Sequence, residues 1–79
     1  MKLEILGPGC KRCQLLAENT KAAVAALGLD AEVVKVEDMQ AILAYGVMST
    51  PALVVDGQVR LAGHIATPRQ IQELLEAAR

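Results

Sequence analysis

Residues 7–13 read GPGCKRC: a Gly-Pro-Gly turn, then Cys10 and Cys13 three apart, with Lys11 and Arg12 between them. The 79-residue chain has no other cysteine. Before the turn, Lys2–Leu6 (KLEIL) is a short apolar-rich run that the glycines and proline stop, so it reads as a strand. After it, Cys13, Leu16, Thr20, Val24 and Leu27 recur at steps of three and four, and Gly28 follows as a helix-ending residue. The stretch is therefore a strand–turn–helix junction, with the cysteine pair at the start of the helix.

The rest of the chain extends this pattern. Residues 31–36 (AEVVKV) are short and β-branched, which predicts a second strand. Asp38 is placed to cap a short helix over 39–44 (MQAILA), which ends near Gly46. Residues 52–55 (ALVV) and 58–62 (QVRLA) flank Asp56-Gly57, a strong hairpin signal. Thr67, Pro68 and Gln70 have the spacing of a capped helix start, and Ile71, Leu74, Leu75 and Ala78 give that last helix an apolar stripe. The order β-α-β-α-β-β-α predicts an α/β fold: a four-stranded mixed sheet with helices on both faces. At this length the chain is read as one domain, residues 1–79.

Composition narrows the function. The chain is 53% hydrophobic with a net charge of −1, and Tyr45 is its single aromatic residue. Nucleic acid is not expected as a partner, since there is neither a basic excess nor a stacking platform. No apolar run is long enough to span a membrane, and the first residues do not form a secretion signal. A cytoplasmic location is the default expectation, and in a reducing compartment a cysteine pair is expected to be catalytic or metal-binding rather than a permanent cross-link.

Residues three apart share a helical face, so the Cα atoms of Cys10 and Cys13 should lie roughly 5 Å apart, within disulfide range. A bridge across so short a loop does little to stabilise a fold. The helix start, by contrast, offers unpaired N–H groups and the positive dipole end, and Lys11 and Arg12 add two cations. These favour a thiolate at Cys10 and should lower its pKa. Cys10 is thus the candidate exposed nucleophile and Cys13, facing the sheet, the candidate resolving thiol. Buried structural thiols and a two-sulfur metal clamp remain the alternatives from these residues.

With these features the chain resembles the thioredoxin superfamily, and within it the small redox-active disulfide proteins. Four matches carry the resemblance: Cys10-x-x-Cys13 after the first strand, Thr50-Pro51 just before a strand, Asp56-Gly57 in the terminal hairpin, and Gly63 before the last helix. Residues 45–57 (YGVMSTPALVVDG) are similar to the family's proline loop. The resemblance implies a thiol–disulfide oxidoreductase that exchanges a Cys10–Cys13 disulfide with protein disulfides through a mixed disulfide, without a bound cofactor. It implies a cis Pro51 beside the dithiol, and a Thr50 backbone that pairs with substrate like an added strand. Gly9, Lys11, Arg12, Thr50, Pro51 and Gly63 are the implied substrate contacts. A disulfide reductase and a disulfide-bearing protein are the implied partners of what is read as a monomer. Glu4, six residues before Cys10, stands near the family's buried acid; it is read first as a solvated strand residue, with a proton relay for Cys13 as the alternative. The chain departs from the family in having Gly9 where thioredoxins carry tryptophan, and Lys-Arg in place of Gly-Pro. The family's substrate surface and redox potential are therefore not carried over.

The rival reading is a soft-metal carrier. Gly-x-x-Cys-x-x-Cys also resembles chaperones that hold Cu(I) between two thiolates, and an arsenic carrier would use the same pair. That fold runs β-α-β-β-α-β, which the helix over 39–44 and the late hairpin do not match. A closed zinc site needs four ligands, and the chain offers two cysteines and His64. His64 is otherwise read as a solvated loop residue, Tyr45 and Met48 as packing around the proline loop, and Met39 as core.

Overall fold

Asp56 and Gly57 fix the chain's tightest reversal. Both have positive φ, 48° and 85°, which is what a two-residue hairpin loop needs to match the twist of its strands. The computed structural model describes residues 1–78 and gives the order β1 (Lys2–Leu6), α1 (Lys11–Leu27), β2 (Glu32–Val36), α2 (Met39–Ala44), β3 (Ala52–Val55), β4 (Gln58–Ala62) and α3 (Pro68–Ala78). This is the α/β order read from the sequence; β2 begins one residue later than expected, an ordinary boundary difference. The sheet runs β2-β1-β3-β4, with β1 and β2 parallel and the other two pairs antiparallel.

The strand period of two sorts side chains between the two faces. Leu3 and Ile5 of β1 and Leu53 and Val55 of β3 join Leu16 and Ala17 of α1 and Ile71 and Leu75 of α3 in one core. Leu6 of β1 and Ala52 and Val54 of β3 face the other way, onto Ile42 of α2 and Val47. β3 is buried along its whole length, which is why ALVV carries no polar alternation. α1 ends as its glycine predicts: Gly28 has φ 64°, and the N–H groups of Gly28 and Leu29 donate to the carbonyls of Ala25 and Val24. Thr20, fully buried on α1, donates its hydroxyl to the Leu16 carbonyl at 2.7 Å. Val24 and Leu27 of the expected stripe are only half-buried, and Ala17 and Ala23 take the inner positions.

Both methionine readings need correction. Met39 is 53% exposed, because α2 is a turn and a half long and presents Ile42 alone as its buried residue. Met48 is 98% exposed, since the loop turns Val47 inward and its successor points out. Among the described residues no helix is long and apolar enough to cross a membrane.

Candidate active site

β1 delivers the chain to Gly7, whose N–H donates to the Val36 carbonyl at 3.0 Å, and the turn then lifts it off the sheet. Gly9 takes φ 90°, a conformation that glycine adopts without side-chain conflict. Cys10 follows as the N-cap of α1, extended at φ −70° and ψ 167°. Its carbonyl accepts the first helical bond, from Gln14 N–H at 3.0 Å, and its sulfur accepts from Cys13 N–H at 3.2 Å. One N–H of the helix start is thus directed at the Cys10 sulfur, which sits at the positive end of the dipole.

Cys10 and Cys13 form a disulfide with a Cα–Cα distance of 5.1 Å. Cys10 is exposed, whereas Cys13 is 5% exposed and lies against the sheet. Position along the helix produces this asymmetry: the cap residue stays at the rim, and the cysteine one turn in is covered by the sheet at Gly7.

Two loops border the pair. The Thr50–Pro51 peptide bond is cis, Pro51 is buried, and its carbonyl accepts from Gly63 N–H at 2.9 Å. Thr50 lies on the cysteine side: a side chain at Gly7 would sit 3.9 Å from Thr50 Cβ and would collide with Cys13 Sγ. Gly63, at φ 84°, lies so close to the loop that an added Cβ would come within 3.1 Å of Ser49 Cβ. The Arg12 guanidinium donates to the Gly63 carbonyl at 3.3 Å. The fold therefore gathers Gly9, Cys10, Arg12, Cys13, Thr50, Pro51 and Gly63, scattered over more than fifty residues of sequence, at one end of the sheet. Lys11 is exposed in the first turn of α1.

The chain matches the family model described as thioredoxin domain over residues 1–76. It belongs to the thioredoxin family. Two relatives named thioredoxin align with it over 75 residues each. That of Methanothermobacter thermautotrophicus is 41% identical, over 95% of this chain and 97% of its own. That of Methanocaldococcus jannaschii is 39% identical, over 95% of this chain and 86% of its own. With this membership and the Cys-x-x-Cys disulfide at the helix start, this thioredoxin-family chain is a thiol–disulfide oxidoreductase.

Glu4 lies on the sheet face away from α1. It alternates with Leu3 and Ile5, which face α1, so its own side chain points to the α2 face. There the Tyr45 hydroxyl donates to Glu4 Oε1 at 2.8 Å. That bond first, then burial and the Glu4 charge, raises the tyrosine pKa above its ordinary 10.0. His64 is exposed, with Nδ1 3.2 Å from the Ala62 carbonyl.

What faces Cys13 instead is a cleft of about 120 Å³, lined by Ile5, Gly7, Gly9, Cys13, Gln14, Lys35 and Glu37. The sequence reading missed Lys35 and Glu37. The alternation of β2 was the available signal: Val33 packs on the α1-side core, so Lys35 and then Glu37 continue the same face.

Proposed function

We propose that the chain exchanges its Cys10–Cys13 couple with disulfides of other proteins. Reduced Cys10 attacks a substrate disulfide, a mixed disulfide forms, and Cys13 attacks the Cys10 sulfur and displaces the substrate, which leaves as a dithiol. The single observation that carries this reading is the asymmetry of the pair. The cysteine at the helix N-cap is open to solvent, and the cysteine one turn on is 5% exposed at the same site. A large substrate can reach only the first, and the second is left to its neighbour within the site and to small molecules. The Cys13 N–H at the start of α1 reaches the Cys10 sulfur, and the positive end of the helix favours a thiolate there.

Gly9, Lys11, Arg12, Thr50, Pro51 and Gly63 form the rim that contacts substrate in this reading. It is supported by the bond from Arg12 to Gly63 and by the close approach of Gly63 to Ser49, which make the three segments one surface. The β3–β4 ladder ends with the Pro51 carbonyl, so Thr50, one residue beyond, has backbone to offer an extended substrate strand. A disulfide reductase would restore the dithiol. The protein would act as a monomer, one domain over 1–79, in the reducing cytoplasm where such a couple can cycle.

The test is reduction of insulin disulfides driven by dithiothreitol. Cys10→Ser is expected to abolish the protein's contribution, and Cys13→Ser to accumulate a mixed disulfide that excess thiol releases. Full turnover by Cys10→Ser would overturn the reading.

A further inference from the structure

Resolution of the mixed disulfide requires the buried Cys13 thiol to lose a proton, and Glu4 faces the wrong side of the sheet to take it. Cys13 nevertheless has a polar opening: the cleft between the start of α1 and the end of β2, whose titratable lining groups besides the sulfur are Lys35 and Glu37. Lys35 lies on β2 and Glu37 just past its end, and both line the cleft with Cys13. Lys35 pairs across the sheet with Ile5, two residues before Gly7. Glu37 stands at the mouth, with Oε2 3.1 Å from where a Gly9 side chain would begin.

The two glycines keep this cleft open. A side chain on Gly7 would strike Cys13 Sγ, and one on Gly9 would press on the Glu37 carboxylate. A single water needs roughly 10–15 Å³ and two or more polar partners, so a cleft of about 120 Å³ lined by a carboxylate, an ammonium and the Gln14 amide accommodates a short water chain.

We propose that Glu37 is the proton acceptor for the Cys13 thiol, reached through water in this cleft, with Lys35 stabilising the thiolate as it forms. In the step, the Cys13 S–H proton passes through water to the Glu37 carboxylate. The Cys13 sulfur bonds to the Cys10 sulfur, the bond from Cys10 to the substrate sulfur breaks, and the substrate leaves as a thiolate. No external oxidant or reductant enters: one disulfide forms as another is broken. Glu37 acts through water and is in this sense a positioned base, removed from direct contact with the reacting sulfurs.

This inference rests on the proposed exchange cycle but can fail separately from it. The reduced protein mixed with 5,5′-dithiobis(2-nitrobenzoate) releases two chromophores: the first reports attack by Cys10 and the second reports displacement by Cys13. Glu37→Gln is expected to leave the first phase unchanged and to slow the second on the order of a hundredfold, the low end of general-base effects. Glu37→Asp is expected to recover much of the loss. In a Cys10→Ser background the pH dependence of Cys13 alkylation gives a readout that misfolding would not mimic. Glu37→Gln removes a neighbouring negative charge and should shift the Cys13 titration to lower pH, whereas Lys35→Gln should shift it to higher pH. Opposite shifts with a slowed second phase support the proposal. An unchanged second phase in Glu37→Gln, with Cys10 still required for exchange, overturns it and leaves the cycle standing; exchange that survives loss of Cys10 removes the cycle itself.

Discussion

Gly7→Ala tests how closely the first strand and the buried sulfur are packed. The backbone at Gly7 is not among the positive-φ positions, so alanine meets no conformational penalty there. The steric consequence is direct: the new methyl would lie 3.1 Å from Cys13 Cβ and in collision with Cys13 Sγ. Gly7 cannot retreat freely, because its N–H is held by the Val36 carbonyl at 3.0 Å. Overpacking a core in this way costs about 1–3 kcal/mol, and a direct collision belongs in the upper part, about 2–3. The alanine also stabilises by about 0.4–1 kcal/mol through the unfolded chain. The net loss is then roughly 1–2.5 kcal/mol, or a Tm lower by roughly 4–20 °C for a domain of this size. The assay is urea unfolding of four reduced proteins: the parent, Gly7→Ala, Cys13→Ala and the double variant. With the sulfur gone, most of the collision goes with it, and the loss should shrink by more than about 1 kcal/mol, a coupling typical of side chains in contact. An equal loss in both backgrounds would refute the reasoning, since the strain would then arise elsewhere than at Cys13.

Ile71→Ala, at a fully buried position on α3 in the α1-side core, is expected to cost about 2–5 kcal/mol, a third or more of the stability of a marginal domain; a denaturation midpoint within error of the parent would contradict this packing. Tyr45→Phe removes the bond to Glu4 on the α2 face and should leave the disulfide-exchange rate unchanged. The folded Tyr45 pKa lies above its unfolded value near 10.0, so its stabilising contribution is complete below that pH and is lost as pH rises through the folded pKa. The stability gap between parent and Tyr45→Phe should therefore narrow in alkaline urea titrations; a gap independent of pH would argue against the bond.

Much of the chain's structure is written locally. KLEIL before Gly-Pro-Gly, Gly28 after a 3.6-residue pattern, and Asp56-Gly57 between apolar runs each dictate their element through short-range sterics and hydrogen bonding, and each forms as expected. The asymmetry of the cysteines was legible for the same reason, since a cap residue lies at the rim of the helix and the residue one turn in is covered by the sheet.

The errors have a common physical source. Met39 and Met48 read as packed because they are apolar, but whether an apolar residue is covered depends on what lies opposite, and α2 has room to bury only Ile42. The face that Glu4 takes was not legible either, since position along a strand does not say which face a side chain takes until the helices settle on the sheet. Local sequence, then, determined the elements, their caps and turns, and the pairing of two sulfurs one helical turn apart. The tertiary structure decided which distant residues meet them. It brought Thr50, Pro51 and Gly63 to the rim and Lys35 and Glu37 to the cleft, because those contacts depend on strand order and register, which no short stretch of chain encodes by itself.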